Sequence, residues 1–110
     1  MSDFNEYIDI RVALRRIGGS MDLYKELLSR FLNGNYIELL ETAFSSGSLD
    51  DAAHKIHSLK GICANLSLIK LSAETEKLEK KVHEGTDYLD CFANLKEIYK
   101  KTSEYISEIT

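Results

Sequence analysis

Apolar positions recur along the chain with helical spacing almost throughout. Ile10, Ala13, Leu14 and Ile17 follow an i, i+3, i+4, i+7 pattern, and Gly18-Gly19 then stops a short first helix. Ser20 is placed to cap a second helix, with Asp22 in its first turn. Leu23, Tyr24, Leu27, Leu28, Phe31 and Leu32 form its stripe, which resumes at Ile37, Leu40, Ala43 and Phe44. The intervening Asn33-Gly34-Asn35 reads as a kink within one long helix that ends near Phe44. After the loop Ser45-Ser46-Gly47, Ser48 caps a third helix, with Asp51 in the capping-box place. Its apolar positions are Leu49, Ala52, Ala53, Ile56, Leu59, Cys63 and Leu66. Ser67 reads as the cap of a fourth helix carrying Leu68, Leu71, Thr75, Leu78 and Val82, which Gly85 ends. The last helix starts near Asp87 and carries Phe92, Leu95, Tyr99, Thr102, Ile106 and Ile109. No strand pattern, internal repeat, low-complexity tract or linker interrupts this series.

Long helices joined by short loops predict an all-α fold: an antiparallel up-down-up-down four-helix bundle, with the short N-terminal helix packed over one end. Composition agrees. The chain has 110 residues, no proline and only six glycines, which disfavours an all-β fold of many tight turns. Residues 1–110 read as one domain, and an apolar fraction of 44% is enough for a core. A net charge of −4 argues against a broad basic surface for nucleic acid. No apolar run is long enough to span a membrane, and the acidic start is unlike a signal peptide. Cys63 and Cys91 both fall on apolar stripes, so they read as free thiols, as suits a cytoplasmic protein. No long apolar stripe is left over, which makes a monomer the expectation. Beginning at Met1 without linker residues, the chain reads as a complete small protein.

Three histidines are candidates for chemistry. His83 sits in the last turn before Gly85, where the helix dipole favours a partly positive ring, and reads as a surface residue. His54 and His57 lie one turn apart on the third helix. With Ile56 at the centre of the buried face, His57 stands at its edge and His54 points to solvent. Ala53, Gly61 and Ala64 share the side of His57, so the ring would stand on a strip of small residues open to a docking protein. Gly61 costs about 1 kcal/mol inside a helix relative to alanine, which suggests a need for close approach, by a partner or by a neighbouring helix. Lys60 is one turn from His57 and could place its ammonium beside the ring. It would lower the ring's pKa and neutralise an anion placed on it. Both suit a neutral imidazole that receives a phosphoryl group, although a plain helix-edge histidine fits the local spacing as well.

The string His57-Ser58-Leu59-Lys60-Gly61 resembles the signature of histidine phosphotransfer (HPt) domains: histidine, a variable residue, an aliphatic residue, lysine and glycine. The resemblance extends upstream through Ile8–Gly19 and Leu23–Phe31, and downstream to Leu71 and the pair Leu78-Glu79. It covers roughly residues 7–82, and the last helix matches only in pattern. One departure is Ser67, where the family usually has glycine ten residues after its histidine; the turn is expected to persist with altered geometry. Ile62 and Cys63 are larger and more apolar than is usual there.

The resemblance implies a phosphorelay carrier without catalytic activity of its own. His57 would take a phosphoryl group from a receiver's phospho-aspartate and pass it to another receiver. Lys60 would support the phosphate, and Ala53, His54, Gly61 and Ala64 would form the docking strip. The implied partners are response-regulator receiver domains, with a receiver of a hybrid sensor histidine kinase as one candidate. No cofactor is implied for this chain, and Mg²⁺ would belong to the receiver. The main rival is an adaptor bundle that docks a receiver or kinase domain without phosphotransfer. A di-iron bundle would need a second acid-x-x-His pair beside Asp51–His54, and a zinc site at Cys63 with His57 or His54 would lack ligands. Glu74, Glu76 and Glu79 among Lys77, Lys80 and Lys81 read as a solvated face with pairs such as Glu76–Lys80, rather than as acid–base machinery.

Overall fold

The computed structural model describes residues 2–110, and its named elements are all helices: α1 (Ser2–Tyr7), α2 (Ile10–Arg16), α3 (Met21–Leu32), α4 (Tyr36–Ser45), α5 (Leu49–Asn65), α6 (Ile69–Glu84) and α7 (Tyr88–Ile109). Helix α5 packs against α4 and α6, and α7 packs against α6 and α3. Side chains from every long helix meet in one core, including Tyr24, Leu28, Leu40, Ile56, Leu59, Leu71, Leu78, Leu95 and Ile106. No described helix is long and apolar enough to cross a membrane.

The expected long second helix is instead two, α3 and α4. In an unbroken helix, buried Tyr24, Leu28 and Phe31 would lie roughly 120° around the axis from buried Leu40 and Ala43, at 100° per residue. A break lets both sets face the core. Asn35 makes it by adopting a left-handed backbone at φ 55°, which asparagine tolerates better than most residues. The Tyr36 ring then folds back to stack on Phe31, with centroids 5.2 Å apart. A Cβ on Gly34 would run into that ring, so a larger residue here would push Tyr36 off its stack on Phe31.

The sequence pattern also passed over α1. Its six residues are too few to be stable as an isolated helix, so tertiary contact must hold it. Phe4 and Tyr7 supply that contact, each with its ring centroid 5.3 Å from that of Tyr105 on α7.

Ser67 does not cap α6. Its backbone is left-handed at φ 54°, and it closes α5 instead. The Leu68 N–H donates to the Cys63 carbonyl at 2.9 Å and the Ser67 N–H to that of Ala64 at 3.2 Å, the paired bonds of a Schellman turn. Ser67 is buried, and its hydroxyl has no hydrogen-bond partner. The position usually held by glycine in the resembled family is thus one whose φ favours glycine. The N-terminal segment clasps the same turn. Asp9 donates its N–H to the Ser67 carbonyl at 3.0 Å, and the Tyr24 hydroxyl donates to the Leu66 carbonyl at 2.8 Å. Arg16 donates to the Ala64 carbonyl.

Glu74 departs from the solvated face expected of it. It is 5% exposed and accepts a hydrogen bond from Asn94 of α7 at 2.9 Å, with Lys77 at 3.6 Å. Both cysteines are free thiols, Cys63 buried and Cys91 half-buried. Burial pushes the Cys63 thiol up to about 12.

Because serine pays a steric cost in the left-handed region that glycine avoids, Ser67→Gly should raise unfolding free energy by about 1 kcal/mol in a urea titration. A lower midpoint at unchanged slope would contradict the strained turn.

Candidate functional site

Helix α5 carries most of the candidate residues. Ser48 caps it, its hydroxyl accepting from the Asp51 N–H at 3.4 Å. Ala52, Ile56, Leu59 and Cys63 face the core. One residue past Ile56, His57 leaves the buried stripe, and its side chain is 75% exposed. Ala53 and Lys60 are half-buried, while His54, Gly61 and Ala64 are exposed. The strip of small residues around His57 is therefore present on the surface. Nothing lies within 4 Å of where a Gly61 Cβ would stand, so no packing within this chain requires that glycine.

The residue that completes the constellation comes from α6. One oxygen of Glu79 accepts from the Lys60 ammonium at 2.7 Å, and the other lies 3.1 Å from His57 Nδ1. An ionised carboxylate can only accept, so a neutral His57 must carry its proton on Nδ1. That leaves the Nε2 lone pair free. The Lys60 hydrogen bond holds Glu79 below the usual carboxylate range against the opposing effect of burial, and the His57 hydrogen bond adds to it. The same hydrogen bond and the charge of Glu79 hold Lys60 above the ordinary lysine value. The ring's partner is therefore a carboxylate, and the lysine expected beside the ring is engaged by that carboxylate.

Glu79 is the residue that sequence reading placed on a solvated face. Two signals pointed to it: its place in the Leu78-Glu79 pair, and its position twelve residues beyond Ser67 where His57 lies ten before. With equal rise per residue, the two sides of a tight turn reach similar heights at such offsets. Ala53, Lys60 and Glu79 line one open groove between α5 and α6, which His83 also borders. His54 lines a separate groove with Leu39 and Tyr36 of α4. Among the described residues, no three His, Cys, Asp or Glu side chains converge to hold a metal ion.

Comparison with known families now bears on this geometry. Residues 26–105 match the model of the Hpt domain. The chain belongs to the Hpt domain family. No curated protein and no solved structure matches it. The match runs from α3 through most of α7, so it includes the last helix and leaves α1 and α2 outside. Hpt domains act in phosphotransfer in two-component signalling and interact with response-regulator receiver domains.

Two measurements test the site's energetics. Gly61→Ala should stabilise the Hpt domain by about 1 kcal/mol, because alanine is the better helix former and its methyl meets open space. Thermal denaturation reads this, and a loss of stability would mean that the glycine serves the fold. A folded-state pKa below the unfolded value makes Glu79 stabilising above its ordinary value of 4.5, and that contribution is lost as pH falls through the depressed value. Glu79→Gln should therefore flatten the acid limb of the stability–pH curve, and an acid limb equal to the parent's would contradict the ion pair.

Proposed function

We propose that His57 is the phosphoacceptor of a phosphorelay carrier. The observation that carries this reading is an exposed imidazole whose Nδ1 lies 3.1 Å from the Glu79 carboxylate, the same carboxylate that binds the Lys60 ammonium. In the proposed step, Nε2 attacks the phosphorus of a receiver's phospho-aspartate. The new N–P bond forms as the acyl-phosphate P–O bond breaks, and the aspartate leaves as carboxylate. The reverse step onto a second receiver frees the imidazole. Glu79 holds the ring in the reactive tautomer and balances the positive charge that builds on it as Nε2 bonds phosphorus. Lys60 then exchanges part of its contact with Glu79 for the phosphoryl oxygens. The chain supplies a positioned nucleophile and a docking strip of Ala53, His54, Gly61 and Ala64. Mg²⁺ and the remaining catalytic groups belong to the receiver, so the chain acts as a carrier and not as an enzyme in its own right.

The same reading places α3–α4, α5, α6 and α7 in an antiparallel up-down-up-down bundle. Supporting it, the three connections after α4 are only residues 46–48, 66–68 and 85–87. We place this single-domain carrier in the cytoplasm as a monomer, where receivers of response regulators or of a hybrid kinase would reach it.

Incubation with a radiolabelled phospho-receiver should move label to this chain as an acid-labile, alkali-stable adduct. His57→Gln should abolish labelling, while His54→Gln and His83→Gln should retain it. Undiminished label on His57→Gln would defeat the assignment, and receiver binding without label would favour the adaptor reading. Lys60→Ala and Glu79→Gln should both slow transfer by about a hundredfold, the lower end of what is lost when one electrostatic or proton-transfer group is removed. In Glu79→Gln, ¹⁵N chemical shifts should show a lower share of the Nδ1–H tautomer.

A further inference from the structure

Glu79 is not the only carboxylate that acts on Lys60. Glu76 lies three residues before Glu79 on α6, so the two stand one turn apart on the same side of that helix. Both line the groove between α5 and α6 that Lys60 borders. The hydrogen bond and charge of Glu79 hold the Lys60 ammonium above the ordinary lysine value, and the charge of Glu76 adds to them.

Glu76 is not neutralised by its own helix. The pair that the sequence offers it, with Lys80 one turn on, is not formed, and Lys77 turns to Glu74 at 3.6 Å. Among the described residues, no ion pair joins Glu76 to any lysine or arginine, and none joins Lys80 to Glu76 or Glu79. Two carboxylates therefore act on one ammonium, which leaves one negative charge in excess beside it. The two have different work. Glu79 hydrogen-bonds both the ring and the ammonium. Glu76 bonds neither and acts on them only through its charge.

A phosphoryl group on His57 would bring about two further negative charges to this place. Lys60 can turn to it only against the attraction of both glutamates. We propose that Glu76 is a positioning residue that weakens the hold of His57 on the phosphoryl group, so that the chain passes the group on rather than retaining it. The proposal rests on His57 being the phosphoacceptor. In the exchange, the N–P bond of His57 and the P–O bond of the receiver's aspartate replace one another, freeing carboxylate in one direction and imidazole in the other. Glu76 tips that balance toward the aspartate by drawing Lys60 away from the phosphoryl oxygens and by repelling them.

The test mixes the full chain with a purified receiver domain that labels it, in the presence of Mg²⁺. It reads the ratio of phosphohistidine to phospho-aspartate at equilibrium, approached from both sides. Where little complex is present, that ratio is independent of how tightly the two proteins dock. Glu76→Gln should raise the share on His57 about threefold at low salt, as for one charge facing a doubly charged group across roughly 10 Å of water. Glu76→Lys changes the charge by twice as much and should raise the share about tenfold. Glu76→Asp should stay near the parent value. The shifts should shrink in about 0.5 M salt as screening removes the field. A ratio unchanged by Glu76→Gln, a shift that does not follow the charge at this position, or one indifferent to salt would overturn the role of Glu76 and leave His57 as the acceptor. A parent chain that takes label at His57 neither from the receiver nor from phosphoramidate, a small donor with no protein surface, would instead overturn the phosphoacceptor reading, and this proposal with it.

Discussion

The arrangement of the site depends on a three-residue reversal between α5 and α6. Ser67 takes a left-handed backbone there, and the Schellman bonds to Cys63 and Ala64 fix where α5 stops. That stop sets the register of α6 against α5. The register in turn puts Glu79 opposite His57 and Lys60 rather than one turn above or below them. Three N-terminal contacts, from Asp9, Arg16 and Tyr24, satisfy the carbonyls of Ser67, Ala64 and Leu66 around the same turn. A reversal that holds a strained serine is thus braced from outside by segments distant in sequence.

The site has a simple electrostatic logic. One carboxylate neutralises one ammonium and orients one ring. Glu79 is partly shielded and Lys60 partly exposed, so their pairing is stronger than a free surface pair but still open to exchange. A phosphoryl group arriving on the ring would bring negative charge toward Glu79 and offer Lys60 a second partner. The small residues around His57 serve a different need, which is space. Among the described residues, nothing packs within 4 Å of where a Cβ on Gly61 would stand, so the room above it is left open.

Much of this was legible in the sequence. The periodicity of α5, α6 and α7, the cap at Ser48 and the stop at Gly85 are local properties, and they appear where the pattern put them. His57, Lys60 and Gly61 could be singled out because three and four residues make one turn of a helix. Membership of the Hpt family followed from the same string and its surroundings. The break at Asn35 was less legible, although the phase mismatch between Phe31 and Leu40 recorded it. A run of apolar residues shows that each is buried and does not show that all of them share one face.

The chain by itself therefore determined the long helices α5 to α7, the cap at Ser48, the stop at Gly85 and the histidine with its neighbours on one helix. Spacing along a helix is set by backbone geometry alone. Only the tertiary structure decided that Ser67 closes α5 instead of opening α6, that Glu74 is buried against Asn94, and that α1 is held by Tyr105. It also decided that Glu79 joins His57 and Lys60. These outcomes depend on how one helix is set against another, and that is fixed by core packing and turn geometry, which no window along the sequence contains.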